Sequence, residues 1–392
     1  MSETISTVKK GLEGVVAATT RISHVDGQAG ELIIAGYALD EIAGKATYEE
    51  VAFALWNAAL GKTPSLPTEA EFQSLTTELA EMRRVPDATV TLLQSAWKAP
   101  PMDVLRMGTA VLSLGEVAVE DESLESNLQR AKRLTAQIPV IVAMHDRFRR
   151  GLNPVPPKPE LDRAANFLYM LNDRIPAPEV AHALDTYWTT VIDHGMNAST
   201  FTARVIASTQ SDMYSAVTGA IGALKGPLHG GAPGPVLDML LEIETLDRAE
   251  SWVREQLAAG KRIMGFGHRV YKVRDPRADV LKAAVEELGK SAHIDRQLTE
   301  LATGVEKIVL RVLEEVKPGR KLNTNVEFYT ALILQSIGLT PDQFSALFAA
   351  GRIAGWTAHV LEQQSENRLI RPASEYIGPT GLKFIPREQR ER

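Results

Sequence analysis

Cysteine is absent from the 392-residue chain, which excludes disulfides, a thiol nucleophile and any cysteine-ligated zinc or iron–sulfur centre. Long hydrophobic runs are absent too. Stretches such as Ile138-Pro-Val-Ile-Val-Ala-Met144 fall far short of the roughly 20 apolar residues that span a bilayer. Met1-Ser-Glu-Thr shows neither a basic start followed by an apolar run nor an arginine-rich amphipathic pattern, so the expected location is cytoplasmic, with no membrane partner. The 43 Lys and Arg residues are interleaved with 49 Asp and Glu, giving a net charge of −6 and no long basic block; a general nucleic-acid binder is disfavoured. No internal repeat, low-complexity tract or Gly/Ser linker divides the chain.

What is present is helical patterning on 44% apolar residues, ample for a core. Thr47-Tyr-Glu-Glu50 reads as a capping box ahead of Val51, Ala54, Leu55 and Ala58 on one face. Asp275-Pro276 reads as a cap and first-turn proline ahead of Leu281, Val285 and Leu288, with Gly289 ending that helix. Thr340-Pro341 predicts the start of a long helix through Ala358. A strand signal appears at Arg21 to Val25 and again at Leu32 to Ala35, around a turn at Asp26 to Gly30. The expected fold is all-α with one small N-terminal β-hairpin.

The chemistry concentrates in three short segments: His229 in Gly226-Pro-Leu-His-Gly-Gly-Ala, His268 in Gly265-Phe-Gly-His-Arg-Val-Tyr, and Glu327 in Asn325-Val-Glu-Phe-Tyr. Glycines beside an imidazole let the backbone approach a ligand closely. One carboxylate to take a proton next to a carbonyl, and two neutral imidazoles to donate to oxygen, make a set suited to enolisation. The predicted helix after His229 would put a positive terminus near its ring and disfavour imidazolium. The Gly-Phe-Gly turn at His268 lacks the third glycine and the preceding strand of a dinucleotide loop. Two histidines and a carboxylate could also hold a metal, but no His-x-Asp or His-Glu-x-x-His pairing is present. Asn197-Ala-Ser matches a glycosylation sequon, read as chance without a signal peptide.

These segments resemble the citrate synthase family. The likeness extends through Gly11-Leu-Glu-Gly, Ile22-Ser-His-Val-Asp-Gly, Asp193-His-Gly-Met-Asn-Ala-Ser-Thr-Phe-Thr-Ala-Arg204, Asp275-Pro-Arg277, Gly351-Arg-Ile-Ala-Gly-Trp-Thr-Ala-His359 and Arg368-Leu-Ile-Arg-Pro372. The resemblance implies a large helical domain from 1–226 and 337–392 and a smaller helical domain inserted at 227–336. It also implies a homodimer in which C-terminal residues of one subunit complete the other's site. His229, His268 and Glu327 become the catalytic set; His194, Arg277, Arg352 and Arg371 bind oxaloacetate; Lys272, Arg274, Arg320 and Lys321 lie in the regions that hold the phosphates of coenzyme A. Three planar guanidiniums suit a dicarboxylate, each able to make paired charge-assisted bonds. Gly351 and Gly355 flank Arg352 inside a helix, which predicts close approach there by ligand, backbone or a neighbouring helix.

The implied activity is condensation of acetyl-CoA with oxaloacetate and water, giving citrate and coenzyme A without metal or organic cofactor. The alternatives are a 2-methylcitrate synthase using propionyl-CoA, and a low-activity paralogue. The second arises because the family's usual catalytic residue at 327 is aspartate. Other departures are Thr324 for a common proline, Thr330-Ala331 for Ser-Gly, Val191 for a histidine, Ala35 for an arginine and Pro233-Gly234 for Asn-Glu.

Overall fold

A computed structural model of the chain describes residues 9–116, 121–229, 233–268, 270–290 and 296–390. Three short strands, β1 (Ser23–Asp26), β2 (Glu31–Ile34) and β3 (Tyr37–Ala38), form an antiparallel sheet in that order. Ser23 faces Ile34, Asp26 faces Glu31, and Ile33 faces Ala38. The expected hairpin is therefore a three-stranded meander. Its added turn uses Ala35 and Gly36, at φ 47° and 85°, the left-handed pair that a two-residue hairpin turn demands. A two-residue strand carries no alternation for a sequence pattern to reveal.

The helices are α1 (Leu39–Ile42), α2 (Tyr48–Ala59), α3 (Glu69–Glu81), α4 (Asp87–Ser95), α5 (Pro101–Leu112), α6 (Leu124–Arg149), α7 (Arg163–Asn172) and α8 (Pro178–Val191). They continue with α9 (Ala198–Ser208), α10 (Met213–Leu224), α11 (Pro233–Ile243), α12 (Leu246–Ala258), α13 (Pro276–Gly289), α14 (Arg296–Val316), α15 (Val326–Ser336) and α16 (Phe344–Ser365). Among the described residues, none of them is long and apolar enough to cross a membrane. The capping box at Thr47 and Glu50 starts α2, and the Asp275 side chain caps α13. Thr340-Pro341 opens a 3-10 turn, Pro341–Gln343, closed by its own capping box; the helix proper starts at Phe344 and continues to Ser365, past the expected end at Ala358.

Helix α16 is the axis of the larger part of the fold, in contact with α2, α6, α8, α9 and α10. It is buried almost continuously from Phe344 to Gln363, as a helix apolar on all sides must be. Gly351 and Gly355 are explained by helix packing. A Cβ at Gly351 would stand 2.7 Å from Val191 Cγ2 and 2.8 Å from Trp188 Cδ1, and one at Gly355 would stand 2.2 Å from Ile192 O. Close passage of α8 therefore requires both glycines. Helices α11 to α15 pack on one another, α12 against α14, α13 and α11 against α15. They join the rest chiefly where α13 lies along α8.

Candidate active site

The turns that carry His268 and Glu327 are joined backbone to backbone. Gly267 N–H donates to Asn323 O at 2.7 Å, Asn325 N–H to Gly265 O at 2.9 Å, and the Asn325 side chain to Gly267 O at 2.8 Å. Gly265 and Gly267 sit at φ 82° and 81°, and a Cβ on Gly265 would meet Phe328 at 2.9 Å. These glycines serve contact between the two turns, where the sequence suggested contact with a ligand.

Asp275 organises the cationic side of the site. Beyond capping α13 through the N–H of Arg277, it accepts from Arg277 Nε at 3.0 Å and Nη2 at 2.8 Å, and from the N–H of Val326 in α15 at 3.2 Å. One carboxylate thus orients Arg277 and ties α13 to the helix of Glu327. His268 Nδ1 accepts from the N–H groups of Val270 and Tyr271, each at 3.1 Å. Burial, then the Arg277 charge, lowers this ring's pKa to about 4. His194 Nε2 lies 3.1 Å from the Tyr271 hydroxyl, and its ring stands edge-on to His268 at 5.8 Å between centroids. Burial first, then Arg277 and Arg352, holds His194 well below the usual imidazole range.

Glu327 is the second residue of α15, its N–H donating to the N-cap Asn325 at 3.0 Å. Burial pushes its carboxyl up to about 7, with Arg277 and Arg352 pulling the other way and Asp275 adding to the rise. Tyr187 on α8, which the sequence did not single out, is fully buried with a hydroxyl lacking a hydrogen-bond partner among the described residues. Its pKa lies well above the ordinary tyrosine range through burial first and the Glu327 charge second. The departures around Glu327 have partners. Thr324 donates to Glu306 at 2.7 Å, Tyr329 donates to the same carboxylate at 2.6 Å, and Thr330 donates to Val326 O at 2.9 Å.

His229 Nε2 lies 2.8 Å from Ser199 Oγ and 3.3 Å from the Ser199 N–H. Ser199 also bonds to the N-cap Asn197 at 2.8 Å and to Trp356 Nε1 at 3.0 Å. Among the described residues, the N-terminus of α9 meets this ring through Ser199; residues 230–232, which lead into the helix expected to follow His229, lie outside the described residues. The ring's pKa falls to about 4 through burial first and the Arg352 charge second. Asn197-Ala-Ser is legible as a helix cap; the reach from Ser199 to His229 is tertiary, and no local pattern shows it. Arg352, one turn before Trp356 on α16, is buried, with Nε donating to Val191 O. Its position 191 neighbour contributes a backbone oxygen where the family has a histidine side chain. Burial pulls the Arg352 pKa down to about 10. Beside it, Asp193 is held by Ser23 Oγ and the Gly195 N–H, with His359 Nε2 at 3.2 Å.

Arg371 is not with the others. It is exposed on the extended tail after α16, next to Ile370, whose N–H is bonded to Ser208 Oγ at 3.0 Å. Among the cations expected at coenzyme A, Lys272 is exposed with its N–H on Gly27 O at 2.7 Å, and its charge acts on His268. Arg320 and Lys321 are exposed just before the strand-like pairing of Thr324 with Phe266. Arg274 is partly exposed, paired with Asp279 and 3.7 Å from Glu306. Among the described residues, no group of three His, Asp or Glu side chains is placed to hold a metal.

The sequence model described as "Citrate synthase, C-terminal domain" matches residues 11–373. The citrate synthase of Haloferax volcanii is 41% identical over 389 residues, covering 98% of this chain and 99% of that one. The 2-methylcitrate synthase of Mycobacterium tuberculosis is 40% identical over 376 residues, covering 95% of this chain and 91% of that one. Among solved structures, the ternary complex of carboxymethyl coenzyme A and oxaloacetate with citrate synthase from Thermoplasma acidophilum superposes with a TM-score of 0.88 at 30% identity, covering 98% of this chain and 99% of that one.

Proposed function

The chain belongs to the citrate synthase family, and from that membership we propose that it condenses acetyl-CoA with oxaloacetate and water, releasing citrate and coenzyme A. The observation that carries the assignment of roles is the convergence of one carboxyl with a pKa near 7 and two neutral imidazoles around Arg277 and Arg352. Glu327 takes a methyl proton from the thioester. His229, with Nε2 turned to Ser199, keeps Nδ1–H to stabilise the enol oxygen. The nucleophilic carbon bonds to the oxaloacetate ketone carbon, and the ketone oxygen, polarised by His268, takes up a proton to give citryl-CoA. Water then cleaves the thioester. His194, Arg277 and Arg352 hold oxaloacetate, and each developing charge meets a protein donor or cation, so this reading needs no metal or organic cofactor.

In this reading the third arginine, Arg371, reaches the site of a second copy of the chain, making the enzyme a homodimer. Support comes from the tail around it, which leaves Ile377, Leu382 and Phe384 at least 80% exposed on one copy. Residues 227–336 act as the small domain, closing over oxaloacetate against 1–226 and 337–392. Lys272, Arg274, Arg320 and Lys321 meet coenzyme A phosphates, Arg274 exchanging its partly exposed pairing with Asp279 for a phosphate. A cytoplasmic location fits these soluble substrates.

The 40% identity with a 2-methylcitrate synthase favours one second reading, propionyl-CoA as the thioester. Release of coenzyme A can be followed with a thiol reagent, and a chain without cysteine contributes no background. A higher kcat/KM for acetyl-CoA than for propionyl-CoA supports the first reading, and the reverse order selects the second. No release from either thioester overturns both.

A further inference from the structure

The turn of α16 that carries Arg352 is bonded through its backbone to two side chains from outside the helix. Tyr48, the first residue of α2, donates its hydroxyl to Gly351 O at 2.9 Å and accepts from the Ala354 N–H at 3.2 Å. Arg163, the first residue of α7, donates from Nη2 to Ala350 O at 2.5 Å. Its guanidinium lies over the rings of Tyr48 and Trp188, 4.0 and 4.3 Å from their centroids. The anchors are themselves held: Glu49 accepts from the Arg163 N–H at 3.1 Å, and Asp185 accepts from the Tyr48 N–H at 3.2 Å. Tyr48, Glu49, Arg163 and Trp188 are buried, Tyr48 completely.

The arrangement is a costly way to fill space. Arg163 is a buried cation whose Nε and Nη1 have no hydrogen-bond partner among the described residues, and unsatisfied buried donors destabilise a fold. Apart from a longer bond from Arg163 Nη2 to Thr135 O at 3.5 Å, the side-chain bonds it and Tyr48 do make fall on one helical turn. In a regular helix the Ala354 N–H points to Ala350 O. Here Tyr48 shares the donor and Arg163 shares the acceptor, and side chains competing with the ladder are a recognised cause of local helix distortion. On the facing side, Gly351 lets α8 abut the same turn, where Val191 O receives Arg352 Nε. The turn is thus fixed from two directions, and Arg352 projects from it.

We propose that Tyr48 and Arg163 are positioning residues for Arg352: the Tyr48 hydroxyl, on a ring stacked under Arg163, sets the rotation of the Ala350–Ala354 turn and thereby the point at which Arg352 meets a carboxylate of the dicarboxylate substrate. The inference rests on the reading of Arg352 as an oxaloacetate-binding residue. It is tested with Tyr48→Phe, Arg352→Lys and the double variant, measuring KM for oxaloacetate and for acetyl-CoA separately. Loss of one buried hydrogen-bonding hydroxyl should raise the oxaloacetate KM about 2- to 10-fold and leave that for acetyl-CoA unchanged. Because the effect passes through Arg352, Tyr48→Phe should add nothing in the Arg352→Lys background. A KM rise of equal size in both backgrounds, or equal rises for both substrates, overturns the inference. If Arg352→Lys alone leaves the oxaloacetate KM unchanged, the reading of Arg352 fails first. Denaturation midpoints of the three variants register folding defects separately, so a destabilised variant still reports on the KM split.

Discussion

His268 turns Nε2 toward Nη2 of Arg277 at 3.2 Å, and both atoms are donors. The two backbone N–H groups at Nδ1 require that nitrogen to accept, so the proton of a neutral ring sits on Nε2. Two donors held face to face suit an oxygen acceptor placed to receive from both, such as a ketone or carboxylate oxygen. A neutral donor can polarise a ketone and remain able to give up its proton.

The pKa of about 4 for His268 leads to a direct expectation. Nitrogen-15 NMR should find its ring neutral and protonated on Nε2 at pH 6, where an ordinary histidine is largely charged. The folded pKa lies below the unfolded value of 6.5, so this ring's contribution makes stability fall as pH drops from about 6.5 toward 4. A charged His268 ring at pH 6 contradicts the assigned role.

The two glycines of α16 should be intolerant of a methyl group. Gly355→Ala would place Cβ 2.2 Å from a backbone oxygen, whereas Gly351→Ala meets two side chains at 2.7 and 2.8 Å. Overpacking of this kind costs about 1–3 kcal/mol, and the backbone clash should be the worse of the two because it cannot rotate away. Urea unfolding of both variants checks the order. Equal stability of wild type and Gly355→Ala would mean that α8 and α16 are spaced differently.

Local signals in the sequence carried the helix caps, because a Thr47–Glu50 box or an Asp275-Pro276 pair acts within one turn. The second role of Asp275, holding Arg277 and the first N–H of α15, joins residues about fifty positions apart, and no spacing rule reaches that far. The same limit hid Ser199 and Trp356 behind His229, and Tyr48 behind Arg352. Burial and then the Arg352 charge lower the His229 pKa, causes no local pattern shows, since exclusion from water depends on the whole fold. Motif order placed Glu327, His268, His194, Arg277 and Arg352 in one region; Arg371 lies exposed on the tail after α16, and a shared motif carries no information on where a tail runs.

If Arg371 acts across a dimer, two impaired proteins assayed at low oxaloacetate should repair one another. Arg371→Ala by itself should raise the oxaloacetate KM much more than the acetyl-CoA KM, whereas Glu327→Gln should lose turnover. Mixed, dissociated and reassociated, the two variants form hybrids in which one site combines an intact Glu327 with an intact Arg371. Random assortment of a two-fold dimer returns about a quarter of wild-type activity. Activity no greater than the sum of the parents would place Arg371 in its own subunit's site or in none.

Glu327 is where this chain departs most from its family, and its surroundings argue that the departure is accommodated. Thr324 donates to Glu306 and Thr330 to Val326 O, so the buried hydroxyls at both departing positions have partners, where an unplanned loss of the usual residues would more readily leave buried polar atoms without them. Glu327→Gln should therefore lower condensation by about 10²- to 10⁴-fold, with little change in oxaloacetate affinity. It should also stabilise the fold in alkaline solution. The native carboxyl titrates near 7 against 4.5 for an ordinary glutamate, so ionising it costs folding free energy as pH rises between those values. The advantage of the glutamine variant should grow across that window to about 1–3 kcal/mol and stay constant above it. Restoring the family residue is the sharper test. If the backbone of α15 is set for the longer side chain, Glu327→Asp withdraws the carboxylate by one methylene and should cost on the order of 10²-fold in kcat, visible in single-turnover release of coenzyme A. An aspartate enzyme as fast as wild type would show instead that the site is still built for the shorter acid and that Glu327 reaches the methyl proton by bending out of its way.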